Sequence, residues 1–232
     1  MLRRGIKPLI VADGKLQVVG EFANGGVVYA PWYSLKELVS GDKISGSATR
    51  VATEMGGGIS SAHVGYGQVP PRVKTAQTGT VLVVYRPYSM WGSTAFCFET
   101  MYTYATRNVQ YYSELCYQHG GTRYELSGAG SGLSVNATIV CAFSHTGTEY
   151  RSAWRVVGGK AGFKVTAGSE WFGDNSWSNN TDDVVGINAF YTSGSAQGSD
   201  GVLVLFGYLP GVVMTDDCLV MLRDNPMSIF AP

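Results

Sequence analysis

The sequence has no charge excess of either sign and little charge at all: 17 Lys and Arg balance 17 Asp and Glu, and charged residues are 15% of its 232 positions. Nucleic-acid binders draw much of their affinity from phosphate contacts and carry a basic surplus, so that partner class is not expected. No apolar run approaches the length of a membrane-crossing helix. The basic start Met1-Leu2-Arg3-Arg4 leads into an apolar stretch over 8–12 that Asp13 closes, too short for a signal-peptide core. The expectation is a soluble chain that is not exported, with no membrane partner. Helix-forming stretches of Ala, Glu, Lys and Leu are also missing. The four cysteines, Cys97, Cys116, Cys141 and Cys218, include no C-x-x-C pair, which argues against zinc. They are expected as buried free thiols in a protein made in a reducing cytoplasm.

What the chain does have is 31 glycines among short apolar runs, with hydrophobic residues at 45% and aromatics at 12%. That is a globular composition, and the pattern is one of many strands joined by tight turns. Strands are predicted over 15–22 and 27–30 around the turn Asn24-Gly25-Gly26, then over 60–66, 80–86, 95–104, 109–118, 122–126, 136–143, 148–157, 160–166, 184–190 and 201–208. Residues 41–79, rich in Gly, Ser and Thr and including Gly56-Gly57-Gly58, read as loops with short strands between them. Ser34 and Glu37 form a capping-box pattern with Gly41 placed to stop a short helix. A second helix is predicted from Thr215, with Asp216 and Asp217 in its first turn and Pro226 ending it. The predicted organisation is 71–232 as a sandwich and 1–70 as strands and loops, an arm or edge of the same single domain.

Catalytic chemistry finds no constellation. Retaining glycosidases need two carboxyls about 5–5.5 Å apart, hence acidic residues two or four apart on one strand face. Glu99 and Glu114 each stand alone, and the neighbours Asp182-Asp183 and Asp216-Asp217 would point to opposite faces. His63, His119 and His145 each lie near a Gly-rich turn without ligand spacing, and read as turn or surface residues. Gly128-Ala129-Gly130-Ser131-Gly132 precedes a β-branched strand, not the helix that a phosphate loop requires. No catalytic residue, cofactor or metal is therefore expected. The Asn- and Asp-rich stretch 174–183 is the one calcium candidate, and it lacks EF-hand spacing.

Trp171 and Trp177 flank Asp174-Asn175 in a polar loop. Exposed rings stack on sugar C–H surfaces and amides or carboxylates bind hydroxyls, so Trp171, Asp174, Asn175 and Trp177 form a candidate carbohydrate platform. The alternative is that the tryptophans anchor the loop on the core or fill a subunit interface.

The C-terminal stretch from Gly201 through Asn225-Pro226, Ile229-Phe230 and Pro232 resembles the closing segment of concanavalin A-like (laminin-G-like) jelly-roll domains in bacteriophage and prophage structural proteins. Met227 stands where that pattern usually has an aromatic. Residues 136–143 with 150–160, and 80–87, resemble the paired strands of the same family, and its Glu-x-Asp-x-Glu glycosidase pattern is absent. The resemblance implies an all-β concanavalin A-like jelly-roll β-sandwich with one or two short helices. It also implies a non-enzymatic virion component (a capsid decoration, head-fibre or tail-associated subunit) made in the bacterial host cytoplasm. The implied partners are other virion proteins and further copies of the chain. A module for bacterial surface glycans is the alternative. A near-neutral surface, which resists self-association poorly, suits an assembling subunit.

Overall fold

The computed structural model describes residues 18–31, 33–34, 36, 38–39, 41, 46–64, 66–68, 76–88, 98–101, 107–111, 115–119, 122–128, 134, 136–171, 184–187, 189–192, 195–198 and 201–230. The strands are β1 (Val27–Tyr29), β2 (Gly46–Thr53), β3 (Gly56–Val64), β4 (Tyr66–Gln68), β5 (Gly79–Pro87), β6 (Phe98–Met101), β7 (Arg107–Tyr111) and β8 (Leu115–His119). They continue as β9 (Thr122–Glu125), β10 (Ile139–His145), β11 (Glu149–Val156), β12 (Ala161–Ala167), β13 (Val184–Ile187), β14 (Ala189–Thr192), β15 (Ser195–Gly198) and β16 (Gly201–Pro210). Helix α1 spans Asp216–Asp224, and 3-10 helices span Gly20–Asn24 and Pro226–Ile229.

An eight-stranded sheet runs β12-β11-β10-β5-β16-β3-β2, with β1 also on β16. A six-stranded sheet runs β4-β13-β6-β7-β8-β9. The pairs within both are antiparallel. The result is an all-β sandwich of the jelly-roll type.

The middle strands β5, β10 and β16 are apolar along nearly their whole length, without the alternation of a half-buried strand, because both faces of the large sheet are covered. On one face Val81, Val83, Cys141, Phe143, Phe206 and Tyr208 meet Leu115 and Tyr117 of β8 and Leu126 after β9. On the other, Leu82, Val84, Val140, Ala142 and Leu205 pack under Leu219 and Leu222 of α1 and under Ile229 and Phe230. The closing segment is thus a lid on the sheet: Phe230 bridges Val18, and Val19 N–H donates to Ile229 O at 2.7 Å. Thr80 and Ser144 hold the approach to α1, with Thr80 Oγ1 donating to Val212 O at 2.8 Å and Ser144 Oγ accepting from Met214 N–H at 3.1 Å. Thr215 caps α1, its hydroxyl accepting from Cys218 N–H at 3.4 Å.

Two strands share one edge of β16. Ile59 and Ser60 of β3 pair with Leu203 and Val202, and β1 pairs further along with Phe206–Tyr208. The glycine run opens β3 and pairs with β2, and a Cβ on Gly58 would lie 2.5 Å from Val202 Cγ1 and 2.7 Å from Leu203 O, so that glycine lets β3 close on β16.

Four expectations are corrected. The Asn24-Gly25-Gly26 turn does not fold 15–22 onto β1. Residues 20–24 form a 3-10 helix, Gly26 N–H closes on Phe22 O at 2.9 Å, and β1 pairs with β16. The described residues around Ser34 form turns and a single bridge instead of a helix, and the Ser34 hydroxyl accepts from Lys36 N–H at 3.0 Å, a local bond that competes with helix. The strand expected over 109–118 is a hairpin of β7 and β8. Cys218 is exposed on α1, whereas Cys116 and Cys141 are buried free thiols and Cys97 lies outside the described residues.

Candidate functional site

Trp171 does not stand exposed as a sugar platform. It is fully buried between the sheets. Its indole is parallel to the His145 ring at 4.9 Å, meets Phe143 edge-on at 5.9 Å, and lies 5.6 Å from Tyr117 and 6.2 Å from Tyr208. Nε1–H donates to the Tyr208 hydroxyl at 3.2 Å. The core-anchoring alternative is the one its burial matches. Asp174, Asn175 and Trp177 lie outside the described residues, as does the rest of 172–183.

Trp171 is the last in a run of pinned residues. Gly168 N–H donates to Thr148 O at 2.9 Å, and Gly168 O receives His145 Nε2 at 3.0 Å. A Cβ on Gly168 would strike the rings of Tyr124 and Tyr150 at 2.5–2.6 Å. The Tyr150 hydroxyl donates to Glu170 O. Strands β10, β11 and β16 therefore each send one side chain (His145, Tyr150, Tyr208) to fix 168–171, the point from which 172–183 departs.

His145 is likewise a correction to the expected turn histidine. It is buried at the end of β10, with Nδ1 3.3 Å from Gln77 O and Nε2 3.0 Å from Gly168 O. Burial holds the imidazole below its ordinary range, while the two carbonyls pull the other way. Nothing in local spacing marked it, because its acceptors are 68 and 23 residues away in sequence. Burial pushes the Tyr150 and Tyr208 hydroxyls well above the ordinary phenol range, so both are neutral donors or acceptors here.

Charge gathers on the α1 side. Arg151 grips Asp216 through Nε (2.8 Å) and Nη2 (2.6 Å) and gives Nη1 to Glu149 at 2.6 Å. The Arg151 hydrogen bonds hold the Asp216 carboxyl low, and those of Arg223 do the same for Asp224. At the β2–β3 turn, burial would raise the Glu54 carboxyl, but the hydrogen bond from Thr138, a bond to its own backbone and the nearby Arg86 bring it below its usual value. Each described carboxyl with a displaced pKa is thus displaced downward, which makes it an ion-pair or hydrogen-bond anchor. Among the described residues, no group of three His, Cys, Asp or Glu side chains is placed to hold a metal.

The fold defines the class: an all-β jelly-roll sandwich with a helical lid on one sheet. No protein-family model matches the chain, and no curated protein sequence matches it. Solved structures do. Domain 4 of AbnA, an extracellular GH43 arabinanase of Geobacillus stearothermophilus solved with arabinotriose, superposes with a TM-score of 0.53 at 10% identity, covering 90% of this chain and 98% of that one. The CBM40 of the Ruminococcus gnavus IT-sialidase, bound to alpha2,3 sialyllactose, gives a TM-score of 0.50 at 11% identity, over 77% of this chain and 96% of that one. The enzymatically active domain of bacteriophage CBA120 tailspike protein 2 gives 0.49 at 14% identity, over 78% of this chain and 30% of that one. The first two likenesses establish the sandwich fold.

Proposed function

We propose that the chain is a non-enzymatic binding module of a phage particle, made in the bacterial host cytoplasm, that holds a bacterial surface glycan with the loop 172–183. The observation that carries the reading is the pinned segment 168–171, fixed by three core strands, which the stretch with Asp174, Asn175 and Trp177, read from sequence as a polar loop, directly follows in the chain. A fixed root lowers the entropy lost when a loop orders around a ligand. The two best-superposing domains above were solved with bound oligosaccharides, which supports a glycan as the ligand class. The virion setting rests on the resemblance of the closing segment to phage jelly-roll domains, and other virion proteins are the partners it implies. Binding of purified protein to an array of bacterial polysaccharides, lost in Trp177→Ala and accompanied by no release of reducing sugar, is the expected result. Absence of binding to any glycan sinks the reading, and steady release of reducing ends makes the chain an enzyme.

A further inference from the structure

Among the described residues β12 is the outermost strand of the large sheet, and its one guard is a lysine. Natural edge strands are blunted by proline, a bulge, or a charged side chain, inward-pointing ones included. β12 keeps unbroken register with β11 from Ala161 to Ala167 and contains no proline. Its one charge, the inward-pointing Lys164, is neutralised by Glu125 of β9 on the sandwich side. On the α1 side it presents Phe163 and Val165, 39% and 46% exposed.

The hydrogen-bond parity of the ladder shows which backbone groups are open. Val156 N–H donates to Lys160 O at 2.8 Å at one end, and Gly168 N–H to Thr148 O at 2.9 Å at the other. Hydrogen-bonded pairs alternate in an antiparallel ladder, so Gly162, Lys164 and Thr166 turn their backbone groups toward β11. Ala161, Phe163, Val165 and Ala167 turn theirs outward, and none of these groups bonds to a described residue.

We propose that this edge pairs antiparallel with β12 of a second copy of the chain, Lys164 facing Lys164 across a two-fold axis. In that register Phe163 meets Val165 of the second copy and Ala161 meets its Ala167, so every outward residue finds a partner and about eight backbone hydrogen bonds form. Phe163 and Val165 make an aromatic–β-branched pair on the α1 face. The two Lys164 ammonium groups approach on the sandwich face, where each copy supplies a Glu125 carboxylate, and each lysine can reach either one. Sliding the register by two residues, so that Val165 faces itself, leaves Ala161 unpaired. The large sheets of the two copies become one continuous sheet.

Sedimentation velocity at concentrations of about 10–100 μM reads the assembly directly. The expected result is a species of twice the chain mass in the wild type. In Val165→Pro the expected result is a single-chain species with an unchanged circular-dichroism spectrum, because the proline removes an outward N–H and leaves the β11 ladder intact. Cross-linking reads the register. With the exposed Cys218 replaced by Ser, Lys164→Cys is expected to oxidise to a dimer, since directly opposed non-hydrogen-bonded residues sit about 4.5 Å apart, within disulfide reach. Thr166→Cys, which faces Gly162 of the second copy, is expected not to. A wild type that sediments as a single chain throughout, a Val165→Pro that still dimerises, or Thr166→Cys that cross-links as fast as Lys164→Cys each overturns the proposal. None of these readouts involves sugar, so they are independent of glycan binding.

Discussion

Replacing Trp171 by alanine separates a core tryptophan from an exposed platform by the size of its effect. The indole is fully buried against Tyr117, Phe143, His145, Tyr150 and Tyr208. Truncating a buried Trp costs about 3–5 kcal/mol through lost transfer energy and the cavity left behind. Trp171→Ala also removes the donor to the buried Tyr208 hydroxyl, which adds about 1 kcal/mol. The sum, about 4–6 kcal/mol, consumes a large part of the stability of a typical domain. In a chain of this length it lowers Tm by roughly 10–20 °C. Urea unfolding followed by tryptophan fluorescence and circular dichroism measures it, with Trp171→Phe as the milder partner. That change keeps a ring in the box, loses the indole hydrogen bond and should cost about 1–2 kcal/mol. An exposed tryptophan, by contrast, is replaceable within about 0.5 kcal/mol. A loss below about 1 kcal/mol for Trp171→Ala would refute the burial argument and return Trp171 to the surface.

Three further outcomes follow from the same packing. Because burial holds His145 below its unfolded value near 6.5, the unfolded chain binds the extra proton, so stability is full above that pH and falls as pH drops through about 6.5 toward the folded value. Urea midpoints from pH 7.5 to 5 should show the fall, and His145→Phe should flatten it. Iodoacetamide on the native protein should label Cys218 and spare Cys116 and Cys141, which react after unfolding; peptide mass spectrometry reads the difference. Gly162→Ala should cost about 1–3 kcal/mol in urea unfolding, because its Cβ would sit 2.6 Å from the Trp154 ring, which lies across the glycine.

The sequence made the middle of the sandwich legible and its N-terminal margin much less so. β5, β10, β11, β12 and β16 announce themselves as apolar or β-branched runs bounded by Gly and Pro, and α1 by Thr215, Asp216 and Pro226, because each of those signals is local. The margin is decided by distant partners. β1 adds to β16, whose residues lie far along the chain, beyond the two residues where β3 pairs with the same strand. No neighbour of Asn24-Gly25-Gly26 encodes that choice. The Ser34 hydroxyl serves a capping box or a local turn equally well, and the structure uses it for the turn. The candidate site divides in the same way. A tryptophan beside Asp and Asn in a polar loop reads alike whether the ring faces water or the core. Trp171 is committed to the core by His145, Tyr150 and Tyr208, three side chains from three strands.

Glycan contact by the loop 172–183 is most directly tested by titration calorimetry of the strongest array oligosaccharide against the wild type, Trp177→Ala and Trp171→Phe. The account predicts saturable binding by the wild type and by folded Trp171→Phe, with an affinity loss of tenfold or more in Trp177→Ala, about 1.4 kcal/mol. Equal affinity in Trp177→Ala and the wild type would contradict it, because the sugar would then be held by some other surface of the sandwich.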